Sequence, residues 1–407
     1  MPTEKTKLLL IFATVFIHLV GFGIVIPVLP LYAERFGASP LVIGLLVSSY
    51  SLMQAIFAPL LGRLSDRVGR RPVLLISMAG TAAGLLLMGW AKALPLLFAG
   101  RIIDGMTGGS ISTAQAYIAD ITPPERRSRG MGLIGAAFGL GFIFGPAIGG
   151  LLSRYSLAAP LFFAAGLAAV NTVLVWIFLP ESLPAGVSAP STGTGHCVTP
   201  KEKKAPLAAL FRESEGGALQ SAMGAYFFTT VGFSLMTATY PLFAERRFGY
   251  SPPEIGAIFA GVGLLGAIIQ GGLMGWLERS FGEKRLAVAG TLMLAGSFFA
   301  LPLSTTASVL LLATALSAMG HSLLATPLNA VASKSVGSHS QGRALGLMQS
   351  AASMARIVGP VAGGWLLNYD AAHPAVPFGR TPYWAASGVM GAALVLALCL
   401  RVQRDGC

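Results

Sequence analysis

The sequence predicts an all-α membrane protein: twelve transmembrane helices in two six-helix bundles related by pseudo-two-fold symmetry. Three observations predict it. First, 54% of the 407 residues are hydrophobic and only 11% are charged, where a soluble domain carries roughly 25% charged residues. So few charges cannot cover a water-facing surface, and most of this surface must face lipid. Second, apolar runs of about 20 residues, the length that crosses a hydrocarbon core, recur along the whole chain. Third, the second half of the chain repeats the first.

The runs cover 8–32, 41–62, 72–90, 94–119, 130–153, 158–179, 217–243, 253–277, 286–304, 307–333, 343–368 and 381–400. The first one, apolar from Leu8 to Leu31, is too long for a signal-peptide core, so no separate cleavable signal is expected. Lys and Arg set the orientation. With the N-terminus in the cytoplasm, 20 of the 28 basic residues fall on the cytoplasmic side, 6 on the opposite side and 2 within spans. Twelve spans then place both termini inside. The five tryptophans (Trp90, Trp176, Trp276, Trp365 and Trp384) fall near predicted span ends, as an interfacial aromatic belt requires.

Residues 180–216 are rich in Pro, Gly, Ser and Thr and carry a basic KEKK stretch at 201–204. They read as a flexible cytoplasmic linker between an N-terminal bundle over 1–179 and a C-terminal bundle over 217–407. The repeat supports that division. PLYAERFGASPLVIG (30–44) matches PLFAERRFGYSPPEIG (241–256) with one insertion. Gly62 and Gly69 match Gly275 and Gly282 at an offset of 213, and Gly145, Pro146, Gly149 and Gly150 match Gly359, Pro360, Gly363 and Gly364 at 214. Duplicated halves place a transport site between them near the midplane.

The net charge of +12 does not point to nucleic acid, because the basic residues sit in short runs between apolar stretches rather than on one exposed face. That pattern suits an anionic membrane surface. Cys197, Cys399 and Cys407 give neither a disulfide framework nor metal-ligand spacing. There is no nucleophile–base pair, metal cluster or phosphate-binding glycine loop, so neither enzymatic chemistry nor a cofactor is expected.

Several motifs carry more than topology. GRLSDRVGRRP (62–72) links spans 2 and 3, with Gly62, Asp66, Gly69, Arg70 and Arg71 at its defining positions. Span 5 reads GLIGAAFGLGFIFGPAIGG (132–150). Its Gly132, Gly141, Gly145, Pro146, Gly149 and Gly150 let helices approach closely, and Pro146 removes a backbone donor. Span 1 carries Gly21, Pro27 and Pro30, and span 4 carries GRIIDGMTGG (100–109).

Together these segments resemble the major facilitator superfamily, in particular its twelve-span drug:proton antiporters of the tetracycline and norfloxacin-type multidrug kinds. The resemblance covers the whole chain. It implies proton-coupled export of small amphiphilic molecules by alternating access, driven by the proton gradient alone. It also implies a latch in which the 62–72 motif pairs across the cytoplasmic closure together with Asp120. The expected partners are a small-molecule substrate, protons and the lipid bilayer, with no nucleic acid. The expected state is a monomer in a bacterial cytoplasmic (inner) membrane. Departures limit the substrate: His18 and Gly84 stand where tetracycline antiporters carry acids, and Thr237 where norfloxacin-type exporters carry one.

Ionisable groups within spans default to functional hypotheses. Asp104 is the acid placed mid-span, with Arg101 three residues away on the same helix face, where the two can pair. Asp104 is the expected proton carrier and Arg101 its partner; a static ion pair is the competing account. His18, His321 and Arg356 are further candidates for proton relay or substrate contact, or for plain interhelical contacts. Gln54 and Gln115, with Tyr50, Tyr226, Phe227 and Met236, are candidates to line the cavity. The alternatives are a transporter of one metabolite or lipid, or a membrane receptor or assembly protein that has lost transport.

Overall fold

The computed structural model describes residues 4–123, 127–182, 217–337 and 340–400, and no strand occurs among them. Ten helices among the described residues are long and apolar enough to cross a membrane. In the first half these are α1 (Glu4–Glu34), α2 (Pro40–Val68), α3 (Arg70–Gly89), α6 (Arg127–Leu152) and α7 (Ala159–Phe178). In the second they are α8 (Ala218–Phe248), α9 (Pro252–Phe281), α10 (Glu283–Leu303), α11 (Ala307–Lys334) and α13 (Arg380–Leu398).

The fourth and eleventh expected spans are helical but differ from the ten for visible reasons. The fourth breaks at Thr107–Gly109 into α4 (Leu94–Met106) and α5 (Ser110–Ile121), since two adjacent glycines weaken a helix. The eleventh, α12 (Gln341–Ala372), has 32 residues and carries Gln341, Arg343, Gln349, Ser350, Ser353 and Arg356 along its first half. Most of the expected 180–216 linker, with Cys197 and Cys407, lies outside the described residues.

Local chemistry sets the helix ends. Ser39 accepts from the Val42 N–H ahead of Pro40, and Thr306 accepts from the Val309 N–H at the start of α11, supplying acceptors to otherwise orphaned donors. The 62–72 motif is mostly helical rather than a loop: α2 runs through Val68, one residue turns the chain, and α3 starts at Arg70. That residue is Gly69, at φ 104° and ψ 159°, a region open essentially to glycine alone. Gly282 makes the equivalent turn between α9 and α10 at φ 77° and ψ 158°. A π-turn at Ile269–Leu273 interrupts α9 around Gly271 and Gly272.

The described structure clusters into two units. The first lies within Met1–Pro190 and adds Thr237–Leu264 and Pro360–Asn368; the second takes the remaining segments. Spatial clustering therefore cuts across α8, α9 and α12, whereas the division expected from sequence follows the chain. The glycine motifs give the reason. In the first unit, added Cβ atoms at Gly44 and Gly364 would meet the Pro360 and Pro40 carbonyl oxygens at 2.2 and 2.4 Å. At Gly256 one would lie 2.5 Å from the Pro146 carbonyl oxygen. Backbones that close tolerate no side chain, and the ends of α8, α9 and α12 opposite the N-terminus pack with the first helices. Glu34 and Arg246 form an ion pair at that same end.

Candidate functional site: a buried charge pair and a charged latch

Span 4 brings the buried charges together. Arg101 and Asp104 lie on α4, 3% and 5% exposed, with Arg101 Nη1 3.5 Å from Asp104 Oδ2. The Arg101 guanidinium also sits over the Tyr50 ring of α2, 4.5 Å from its centroid, a cation–π contact that favours the charge. The break after Met106 releases the Gly108 carbonyl, and Gln54 takes it: its Nε2 donates to Gly108 O at 3.1 Å and to the Tyr50 hydroxyl at 3.2 Å. Two polar atoms of the pair, Arg101 Nε and Asp104 Oδ1, are buried with no hydrogen-bond partner among the described residues. Thr81 of α3 lies beside the carboxylate.

Gly84 explains one departure. A Cβ at this position would lie 2.7 Å from the Gly100 carbonyl oxygen and 3.1 Å from Asp104 Cβ. The α3 position that is acidic in the resembling antiporters thus has no room for a side chain, and the carboxylate beside it comes from α4. His18 is buried, its Nδ1 without a hydrogen-bond partner among the described residues. In the second unit His321 stacks on Phe233, ring centroids 3.8 Å apart and 9° from parallel, and its Nδ1 is likewise unpartnered among the described residues. Arg356 donates to Ser353 Oγ at 3.1 Å.

Of the expected cavity-lining residues, Tyr50 and Met236 are buried and Gln115 is exposed on α5. Tyr226 and Phe227 are half-buried, with Phe227 edge-on to Phe228.

The latch is built on Arg70, which is 7% exposed. Its Nη1 reaches Asp66 Oδ1 at 2.5 Å and Ser65 Oγ at 2.8 Å, and its Nε reaches Asp120 Oδ2 at 3.0 Å. These bonds join α2, α3 and α5, all within the first six helices, so they are not the expected pairing across the cytoplasmic closure. Asp66 lies four residues before Arg70 on the other side of the Gly69 turn, and the last turn of α5 delivers Asp120 to the same guanidinium. Arg71 donates to the Trp176 carbonyl at the end of α7.

The 132–150 segment packs closely through its glycines. Cβ atoms at Gly141, Gly145 and Gly149 would meet Leu19, Gly23 and Ile24 of α1 at 2.6, 2.7 and 2.8 Å, and one at Gly150 would meet Gly256 at 3.0 Å. Gly132 has open space around it and makes no such contact.

Three features were missed in the sequence. The first is Glu181, whose carboxylate accepts from the Arg70 and Arg71 N–H groups at 2.8 and 3.1 Å; nothing in the linker composition marked it. The second is a charge-reversed counterpart of the latch. At offsets of 213 and 214, Asp66, Arg70 and Asp120 correspond to Arg279, Glu283 and Lys334, and Lys334 Nζ lies 2.8 Å from Glu283 Oε1; the offset could have found it. The third is Asp370, 2% exposed, which accepts from the Gly379 and Thr381 N–H groups at 3.0 and 3.1 Å and caps α13.

These features define a polytopic secondary transporter: glycine-packed helices, a charged turn between spans 2 and 3, and a buried ion pair in span 4. The Major Facilitator Superfamily profile matches residues 11–216 and 222–406. The chain is 35% identical to the class C tetracycline resistance protein of Escherichia coli, over 99% of this chain and 98% of that one. It is 28% identical to multidrug resistance protein 2 of Bacillus subtilis (strain 168), over 91% of each. The human organic anion transporter MFSD10 (TETRAN) has a similar structure, with a TM-score of 0.69 and 25% identity, covering 98% of this chain and 100% of that one. The chain belongs to the Major Facilitator Superfamily, among its drug:proton antiporters, and is an integral membrane transporter of small molecules.

Proposed function

We propose that this chain exports small amphiphilic molecules in exchange for protons, with Asp104 taking and releasing the coupling proton and Arg101 as its partner. One observation carries the reading: a buried Arg101–Asp104 pair at 3.5 Å in which Arg101 Nε and Asp104 Oδ1 have no hydrogen-bond partner among the described residues. Such a pair is held but not saturated. Protonating the carboxylate leaves the guanidinium on the Tyr50 ring, where it already sits, and free to take a substrate; deprotonation restores the pair. The energetic logic is that a buried charge losing its partner must find another. His18, His321 and Arg356 are secondary candidates for relay or substrate contact.

The rest of the assignment is part of this reading: no cofactor beyond the proton gradient, no enzymatic reaction, a monomer, and both termini on the cytoplasmic side of a bacterial inner membrane. The relatives named for tetracycline resistance make tetracyclines the first substrates to assay, with cationic dyes beside them. The test is transport in proteoliposomes under an imposed pH gradient. Asp104→Asn is expected to abolish gradient-driven accumulation while leaving downhill substrate exchange. Undiminished gradient-driven transport by Asp104→Asn would overturn the assignment to Asp104, and native transport indifferent to the gradient would overturn proton coupling itself.

A further inference from the structure

We infer that Glu181 is a positioning residue of the latch, and that Pro180–Ser182 clamps the latch from the end of the first bundle. A helix begins with orphaned N–H groups, and the residue before α3 is Gly69, which has no side chain to cap them. The missing acceptor comes from the exit of α7. The two carboxylate oxygens of Glu181 take the Arg70 and Arg71 N–H groups separately, at 2.8 and 3.1 Å. A carboxylate in that place also meets the positive end of the helix dipole.

Both neighbours of Glu181 reach the same cluster. The Pro180 carbonyl accepts from the Tyr117 hydroxyl at 2.8 Å. The Ser182 hydroxyl donates to Asp120 Oδ2 at 3.0 Å, the same oxygen that receives Arg70 Nε. Arg70 therefore has its side chain held by Asp66 and Asp120 and its backbone held by Glu181. Gly69 is what makes the fit possible. A Cβ there would sit 2.4 Å from Glu181 Oε2 and 2.7 Å from its carboxyl carbon.

Among the described residues the second half shows no such clamp: Gly282 makes the same turn, and a Cβ there would meet none of the described residues within 4 Å. The turn itself thus forms among the described residues without this cap. The cap on α3 stands on the side that carries the 62–72 motif, and it fixes where the Arg70 guanidinium stands relative to Asp66 and Asp120.

The role of Glu181 rests on the latch, and the first measurement reads the cap without transport. Hydrogen exchange at the Arg70 and Arg71 amides, in the full chain in detergent or nanodiscs, is compared for native protein, Glu181→Gln and Glu181→Ala. Glu181→Ala is expected to speed exchange at these two amides by about tenfold or more, the factor one charge-assisted bond carries. The peptide around Glu283 should stay unchanged, which separates a lost cap from general unfolding. Glu181→Gln, keeping one acceptor oxygen, is expected to recover part of the protection. In proteoliposomes with a substrate shown to be transported, Glu181→Ala should lower the maximal rate with an unchanged apparent KM, because Glu181 touches the latch and not the substrate. Unchanged exchange at Arg70 and Arg71 in Glu181→Ala would overturn the cap. A raised KM at an unaltered maximal rate would overturn the positioning role.

Discussion

Replacing Gly69 by alanine tests the structure at its tightest turn, and Gly282→Ala is its built-in control. Both glycines sit at positive φ with ψ near 160°, where any other residue costs about 1–3 kcal/mol in backbone strain. That strain is common to the two variants. Only at position 69 does the new methyl group collide, 2.4 Å from Glu181 Oε2, so only there must the carboxylate withdraw. Each bond from a carboxylate to an N–H is worth about 1.5–3 kcal/mol when fully formed. Glu181 is only half-buried, so solvent screening brings the expected extra loss down to about 1–2 kcal/mol. That is roughly a 5- to 30-fold larger fall in the folded fraction for Gly69→Ala than for Gly282→Ala. The assay is equilibrium unfolding in mixed micelles of rising dodecyl sulfate fraction, followed by tryptophan fluorescence. A cycle with Glu181→Ala completes it: once Glu181 is truncated, Gly69→Ala should cost no more than Gly282→Ala. Equal losses at both glycines in the native background, or strict additivity in the cycle, would refute the collision.

Other outcomes follow from the same geometry. Gly84→Ala should shift α3 against α4 and abolish transport, since its Cβ would lie 2.7 Å from the Gly100 carbonyl oxygen, while Gly261→Ala, with open space around it, should transport normally; equal activity of the two would argue against the crossing. Glu283→Lys and Lys334→Glu should each lower transport and their combination should restore it, as expected for the pair at 2.8 Å; a double variant no better than the singles would remove that pair from consideration. Asp370→Ala should lower unfolding stability by about 1–3 kcal/mol by orphaning the buried N–H groups that it accepts from at the start of α13, whereas an unchanged midpoint would show that the cap contributes nothing.

How much was legible from sequence depends on the kind of signal. The apolar helical segments and the repeat were legible because burial in lipid demands about 20 apolar residues at a stretch and leaves its mark in composition, whereas helix ends such as Val68 and Ala372 lie beyond the apolar runs. The 62–72 and 132–150 motifs were legible because few residue types allow a one-residue turn or a close helix crossing. Arg101 and Asp104 stood out because charges are rare within spans. The sequence by itself therefore determined the class, where the apolar helices lie along the chain, and the pair of charges on span 4.

The tertiary structure decided what no local pattern records. It broke span 4 at Thr107–Gly109 and gave the freed carbonyl to Gln54. It kept the Arg70 pairs inside the first six helices, because α5 delivers Asp120 to the guanidinium that Asp66 already holds. It put Gly84 against Asp104, moving the available carboxylate from one helix to its neighbour. It also drew Glu181, 111 residues along the chain from Arg70, onto the start of α3. Apolar periodicity carries the first kind of information because the bilayer imposes it on every span. The second kind depends on which distant backbones come within a few ångströms, and that is fixed only when the helices pack.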